Sequence, residues 1–568
     1  MTYLPTSRKE LDAIGWDAAD IILFTGDAYV DHPSFGAAVI GRVLEAAGYR
    51  VAIVAQPNWR DDLRDFKKLG IPRLFFGVTS GSMDSMVNHY TANKRLRHND
   101  AYTPEGKAGF RPDYATTVYS RILKQLFPDV PVILGGIEAS LRRLTHYDYW
   151  SDTLKPSILA DSGADLLVYG MGERPIHEIA RRLAGGEAIG RLHDVPQTAR
   201  MVACSALSGN RYDLHSFAEC LRSKRRFAEN FAIVEREANK KEGVLRLAEV
   251  VGDSVVVVNP PYPTMTEAEI DAVYDLPYTR TPHPRYEGKR IPAYEMIRHS
   301  INIHRGCFGG CSFCTIAAHQ GRFIISRSEP SILREVEAVT RMADFKGYLS
   351  DVGGPSANMY GMTGRDENAC RRCRRNACIF PAVCRNLDTG HGRLLHLYRL
   401  VRQHRAIKKA FIGSGIRYDL LLTNDGFTDT AAQTYFEQLL RYHVSGRLKV
   451  APEHTEQHVL QVMRKPSFAL FEQLKTLFDT QNQQESLRLQ LIPYFISSHP
   501  GCTEHDMQQL AGKLRRLRLY PEQVQDFTPT PMTHASTIFY TGIDPETGQK
   551  CYVARRKEEK QRQKRYFF

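Results

Sequence analysis

Cysteine is missing from the first 203 residues of this 568-residue chain, so nothing in that stretch can be stapled by disulfides or held by thiolate-bound metal. No run of about 18 apolar residues occurs, which excludes a membrane-spanning helix and argues against a membrane partner. The stretch from Met1 to Glu10 has neither an apolar core nor a small-residue cleavage site, so a secretory signal is not expected and the compartment predicted is the cytoplasm. Acidic residues are outnumbered, 63 against 76 basic ones, and the resulting charge of +13 leaves a polyanionic partner open. Internal repeats and low-complexity tracts are absent. Apolar residues make up 42% and charged residues 24%, which excludes wholesale disorder.

What the chain does contain is alternation. At about 150 residues per domain, the length allows three or four domains or one large barrel with additions. Residues 1–200 alternate β-branched runs (Asp20 to Thr25, Arg50 to Val54, Leu74 to Val78, Pro131 to Leu134, Ala164 to Tyr169) with helical stretches and Gly-containing turns. Such alternation predicts an α/β, doubly wound parallel sheet, with any ligand at the carboxyl ends of the strands. A folded domain without a ligand fits the same pattern equally well. Residues 201–290 are charged and proline-punctuated and read as a connector. A second alternating series fills 291–545, with strand-like runs beginning at Ser300, Gly347, Lys408, Arg447, Arg488 and Val524. Six parallel strands fit a partial barrel or an open sheet, with the chemistry at the strand ends. A Cys-rich insertion occupies 365–390 and a basic tail 546–568.

Eleven cysteines, an odd number, point to metal or redox use rather than a disulfide framework. Seven lie between Cys307 and Cys384. Cys307, Cys311 and Cys314 form a C-x3-C-x2-C triad directly after the first strand of the second series. Three thiolates on one loop can bind three irons of a cubane cluster and leave the fourth open. A zinc site completed by His304 or His319 is the alternative. Cys370, Cys373, Cys378 and Cys384 provide enough ligands for a closed zinc site or a second iron–sulfur cluster, beside Arg371, Arg372, Arg374, Arg375 and Arg385. Four unliganded thiols remain the bland reading.

The triad, with aromatic Phe313 before its last cysteine, resembles the radical S-adenosylmethionine (radical SAM) signature, and Ile301 to Ser328 is similar to the YgiQ-type family of these proteins. The resemblance implies a [4Fe-4S] cluster on Cys307, Cys311 and Cys314, S-adenosylmethionine on its open iron, and reductive cleavage to a 5′-deoxyadenosyl radical. It further implies a cobalamin-binding-like Rossmann domain, a partial (β/α)6 barrel, and an electron donor of the flavodoxin or ferredoxin type. In that pattern Gly353 and Gly354 meet the methionine amino group, and Ser414, Arg417 and Glu453 are candidates for ribose or carboxylate contacts; the usual acidic residue after the glycine pair is replaced by Pro355 and Ser356. The runs Ile492 to His499 and Asp526 to Met532 line the same rim. Lower-ligand cobalamin binding would need Asp-x-His-x-x-Gly, whereas Asp31 and His32 are adjacent, so cobalamin is not expected and His32 reads as a turn residue.

The substrate stays open. An RNA-modifying activity is one alternative, motivated by the tail from Arg555 to Arg565 with its net charge of 7 − 2 = +5. The preferred reading of that tail is a solvated helix with Glu558 and Arg562 four apart. A non-catalytic protein stabilised by structural metal is the last alternative.

Overall fold

The protein is described by a computed structural model covering residues 2–206, 209–522 and 524–567. Its first half is built on a nine-stranded sheet. Five parallel strands come first in space: Val51–Ala55, Ile21–Thr25, Phe75–Thr79, Val132–Leu134 and Leu166–Val168. Because side chains alternate along a strand, Ile21 and Leu23 enter one core with Val39, Leu44, Ile176 and Ile179 of the helices Gly36–Ala46 and Glu173–Ala184. Ile22 and Phe24 enter the other, with Tyr119 and Leu123 of the helix Ala115–Leu126. Burial on both faces explains why these strands read as continuous apolar runs. Chain order along the sheet reverses at Ile21–Thr25, which opens a crevice at its carboxyl end.

The segment expected as a connector contributes strands to this sheet. Thr198–Ala203 pairs antiparallel with Ser254–Val258, which pairs with Arg246–Val251 and through it with Arg211–Asp213. The four valines Val255 to Val258 supply the strand propensity, and Gly252, at φ +60°, makes the two-residue hairpin turn. Charge and proline content masked this hairpin in the sequence. The helix read within Arg222 to Lys241 is present as Lys224–Ala238.

The second series begins with Ser300–Asn302, paired parallel to Asp351–Gly353. The latter continues from Tyr348–Leu349, which is parallel to Lys409–Ala410. Arg447–Glu453, Gln490–Ser497 and Val524–Asp526 form a second parallel group. Among the described residues no ladder joins the two groups; Ile412 N donates to His443 O at 3.0 Å instead. One continuous core fills the interior, with Ile301, Val352, Ala410, Leu448 and Phe495 pointing inward.

The tail departs from the expectation of a solvated helix. Lys557–Lys564 is helical, but it docks with Gln563 and Lys560 buried. Gln563 accepts from Ser498 N at 2.7 Å and donates to Cys502 O at 2.8 Å. Arg562 and Arg565 pair with Glu504, and Lys564 with Asp526, so the charges are used across the fold rather than four apart.

Candidate active site

The C-x3-C-x2-C loop leaves the first strand of the second series through His304 and Arg305, which pair antiparallel with Ile325–Ser326. Arg305 is buried, ion-paired to Glu173 of the N-terminal domain, and donates to Tyr274 Oη at 3.2 Å. The loop is thereby fixed against the first half two residues before Cys307. Gly310 has φ +65°, and a Cβ there would strike Ala377, so the bare backbone lets the second cysteine segment lie directly on the first. Cys378 N donates to Phe308 O at 3.3 Å, and Phe308, Met359, Met362, Ile379 and Leu387 pack beneath both.

All three thiols of the triad are free and half-buried. Burial pushes the Cys307 thiol up from its ordinary value and the Cys314 thiol up to about 12. Both are therefore protonated at neutral pH until a cation replaces the proton. Cys311 is answered by Arg417, whose Nη1 donates to Sγ at 3.4 Å. A Cβ on Gly309 would lie 2.8 Å from that guanidinium and 3.3 Å from Cys307 Sγ, so the loop encloses the thiols closely. The soft donor set and the adjoining cation fit an anionic iron–sulfur cluster. Neither histidine considered for a zinc site turns to the thiols. His319 Nδ1 lies 3.0 Å from Ser140 Oγ, and the His304 ring is under Gly354. Among the described residues no group of three or more His, Cys, Asp or Glu is arranged to hold a single metal ion.

Gly353 and Gly354 end the second strand above that ring. A side chain at Gly354 would collide with His304, whose two ring nitrogens are buried without partners and whose pKa burial lowers to about 3. Ser414 and Arg417 follow the third strand but take different roles. Ser414 Oγ donates to Asp351 Oδ2 at 2.6 Å and so closes a turn, while Arg417 is clamped by Asp419 at 2.9 and 2.6 Å and aimed at Cys311. Glu453 ends the fourth strand at a register shift with φ +67°. That bulge turns its carboxyl toward Lys465 Nζ, 3.7 Å away, and burial raises its pKa. Ser498 and Met532, after the fifth and sixth strands, are also left-handed, at φ +61° each. Three successive strand ends therefore carry non-glycine strain, which persists only where surrounding structure holds it. Phe313 stacks edge-on against His499 at 5.8 Å, and Ser312 Oγ reaches the same ring at 3.2 Å.

His499 ends the rim run read from the sequence, whereas Asp419 and Lys465 are not among the residues the sequence singles out. Asp419 had a signal, a carboxylate two residues from Arg417; Lys465 had none, because its place depends on the turn after Met463.

The second thiol group is Cys370, Cys373, Cys378 and Cys384, all free and half-buried. The cation that reaches it is Arg322, with Nη2 3.2 Å from Cys378 Sγ. Of the arginines expected to serve these thiols, Arg375 donates to the carbonyls of Ala377 and Phe380 and Arg371 pairs with Glu242. Asn386 Nδ2 donates to Cys370 Sγ at 3.2 Å.

Facing the triad loop across the sheet crevice is a cavity of about 370 Å³, lined by the turns around Gly81, Gly135 and Gly172 and by Thr315 and Ile316. His32 lies nearby as a turn residue: Nδ1 accepts from Ser34 N at 3.1 Å and Nε2 is 2.9 Å from Arg280 Nη2.

A two-part α/β protein with three cysteines on the loop after a strand has the arrangement that the resemblance to radical SAM proteins implies. A family model described as "Radical SAM N-terminal" matches residues 3–300. A UPF0313 protein of Porphyromonas gingivalis is 62% identical over 100% of this chain and 90% of its own length. The UPF0313 protein YgiQ of Salmonella typhimurium is 46% identical over 96% of this chain and 82% of its own. Among solved structures, the radical S-adenosylmethionine methyltransferase TsrM from Kitasatospora setae, with cobalamin and a [4Fe-4S] cluster bound, superposes with a TM-score of 0.51. That likeness, at 14% identity over 94% of this chain and 88% of TsrM, is one of fold. The chain belongs to the YgiQ-type (UPF0313) family of radical SAM proteins.

Proposed function

We propose that this protein is an enzyme that holds a [4Fe-4S] cluster on Cys307, Cys311 and Cys314 and uses it to cleave S-adenosylmethionine reductively. The observation that carries the reading is the presence of three half-buried thiols on one short loop, with Arg417 donating to Cys311. When bound, the cluster supplies the electron that breaks the sulfonium bond and releases the 5′-deoxyadenosyl radical. The chain's own residues surround that chemistry. Gly353 and Gly354 leave backbone exposed for the methionine amino group, Arg417 offsets thiolate charge, and Phe313 with the strand-end rim excludes water. Glu453 is the candidate for a ribose contact, and Ser414 holds the Asp351 turn in place. An electron donor of the flavodoxin or ferredoxin type completes the reaction, and the six strands of the second half serve as its partial barrel.

The four further thiols support a second iron–sulfur cluster, with zinc as the alternative; Arg322 beside Cys378 and the contact of Cys378 N with Phe308 O are what support a position next to the triad loop. Histidine-ligated cobalamin does not fit, because both nitrogens of His32 are engaged. RNA as substrate is less favoured than a small molecule, because the basic tail spends its charges on Glu504 and Asp526. No helix among the described residues is long and apolar enough to cross a membrane.

Anaerobic reconstitution with iron and sulfide, then dithionite and S-adenosylmethionine, should yield 5′-deoxyadenosine from the wild type and none from Cys307→Ala. A fully loaded cluster that forms no 5′-deoxyadenosine, and whose EPR signal S-adenosylmethionine leaves unmoved, would favour the non-catalytic alternative.

A further inference from the structure

Behind the cluster loop lies a second and larger cavity, about 460 Å³, between the N-terminal sheet and the helix Ile316–Gln320. Its volume is that of a site for a small molecule. Most cations on its wall already have carboxylate partners. Arg174 pairs with Glu269, Lys240 with Glu237, Lys241 with Glu367, and Arg305 with Glu173. Arg322 reaches backbone carbonyls and Cys378 Sγ.

Arg143 is answered least, by one carbonyl against the two carbonyls and a thiol that meet Arg322. It is only 6% exposed, yet no carboxylate pairs with it among the described residues. Its recorded hydrogen bond is from Nη1 to Ser140 O at 2.6 Å, and Nε is buried without any partner. The guanidinium stacks over Tyr169 at 4.8 Å, an attraction weaker than the cost of withdrawing a full charge from water. Buried charges are ordinarily paired, so an arginine without a carboxylate that faces a cavity is a candidate anchor for an anionic group. The same side chain lines a smaller space of about 80 Å³ that is bounded by Gly310, Cys311, Ser312 and Cys314. Arg143 therefore stands between the large cavity and the triad.

We propose that Arg143 anchors the phosphate or carboxylate of an anionic small-molecule substrate that occupies this cavity and extends toward the cluster loop. The word substrate rests on the radical SAM reading; the anion site does not. Tyr169 and Tyr262 on the cavity wall offer stacking surfaces for the rest of the molecule.

The probe is inorganic phosphate, with succinate as the carboxylate arm, titrated at constant ionic strength into the full-length, cluster-loaded protein while thermal unfolding is followed. A ligand that binds only the folded state raises the midpoint in a saturable way. The wild type should respond to one of the two anions, and Arg143→Gln should raise the apparent Kd at least tenfold, with Arg143→Lys between them. Without anion, Arg143→Gln should unfold no lower than the wild type, because it removes an uncompensated buried charge. Equal responses in wild type and Arg143→Gln, or no response to either anion in the wild type, overturn the proposal. So does a variant that weakens S-adenosylmethionine binding while keeping the anion response, which would assign Arg143 to the cosubstrate. If Arg143→Gln does not fold, Arg143→Lys decides by the same criteria. Loss of 5′-deoxyadenosine formation in the wild type with the anion response intact would sink the radical reading and leave this site standing.

Discussion

Glu249 is fully buried in the N-terminal sheet, accepts from Thr145 N at 2.8 Å, and is pushed by burial up to about 7. A raised carboxyl pKa means that the folded state holds its proton more tightly than the unfolded state does. The associated stability is fully present below about 4.5 and is lost as pH rises through about 7. Glu249→Gln, which keeps the acceptor, should therefore match the wild type near pH 4.5. It should exceed it at pH 8 by about 3 kcal/mol. Denaturant melts of both proteins across that window check the sign, and a wild type that gains on Glu249→Gln with rising pH would contradict it. Arg417 presents the opposite case, a charge fully engaged by Asp419 and Cys311. Arg417→Ala strands a buried carboxylate and should cost about 3–5 kcal/mol. Arg417→Ala/Asp419→Ala should recover much of that loss while its iron content stays below wild type. Arg417 was visible in the sequence as a strand-end cation. Its partner Asp419 fixes what it points at, and that fixing is a matter of rotamer and packing.

The C-terminal helix shows how an element can mislead when read alone. Its sequence is charged all round, the pattern of a solvated helix, yet it docks with the Gln563 amide and the Lys560 ammonium buried. Gln563 sits in the last turn of the helix and answers Ser498 N, the backbone at the strained end of the fifth strand. Gln563→Ala should leave those buried groups unpaired at a cost of about 1–3 kcal/mol. Because that cost falls on local opening, trypsin should cleave the tail about tenfold faster or more, with the sheet core unaffected. Cleavage at the wild-type rate would mean the helix is held by its ion pairs to Glu504 instead. The hairpin Arg246–Val251 and Ser254–Val258 is the converse example. Its valines favour a strand, but the surrounding charge and proline obscure it, and the neighbours it joins, Thr198–Ala203 and Arg211–Asp213, are not adjacent in the chain.

At the scale of the molecule, buried ion pairs cross between the two halves. Arg305 beside the triad meets Glu173 at the start of an N-terminal helix, and Arg464 meets Glu235 at 2.6 Å. Breaking one partner of such a pair is costly, while replacing both by apolar groups is much less so. Glu173→Leu should lower stability by about 3–5 kcal/mol, whereas Glu173→Leu/Arg305→Met should recover most of it. A double-mutant cycle on the thermal midpoint, with iron content read in parallel, tests whether the pair also sets the posture of the cluster loop. If both single variants cost less than about 1 kcal/mol, the halves are held by apolar packing alone.

The sequence by itself determined the local facts: α/β alternation, the parallel strands of both halves, the triad of Cys307, Cys311 and Cys314, and the resemblance that placed the family. Those signals are short-range, carried by side-chain period and by thiols a few residues apart. Only the tertiary structure decided which groups face one another. It set Arg322 rather than the neighbouring arginines on Cys378, drew strands from within residues 201–290 into the first sheet, docked the tail, and left Arg143 buried with no carboxylate partner among the described residues. Each of these depends on contacts between residues distant in the chain, where burial and charge pairing act together and no local pattern records the outcome.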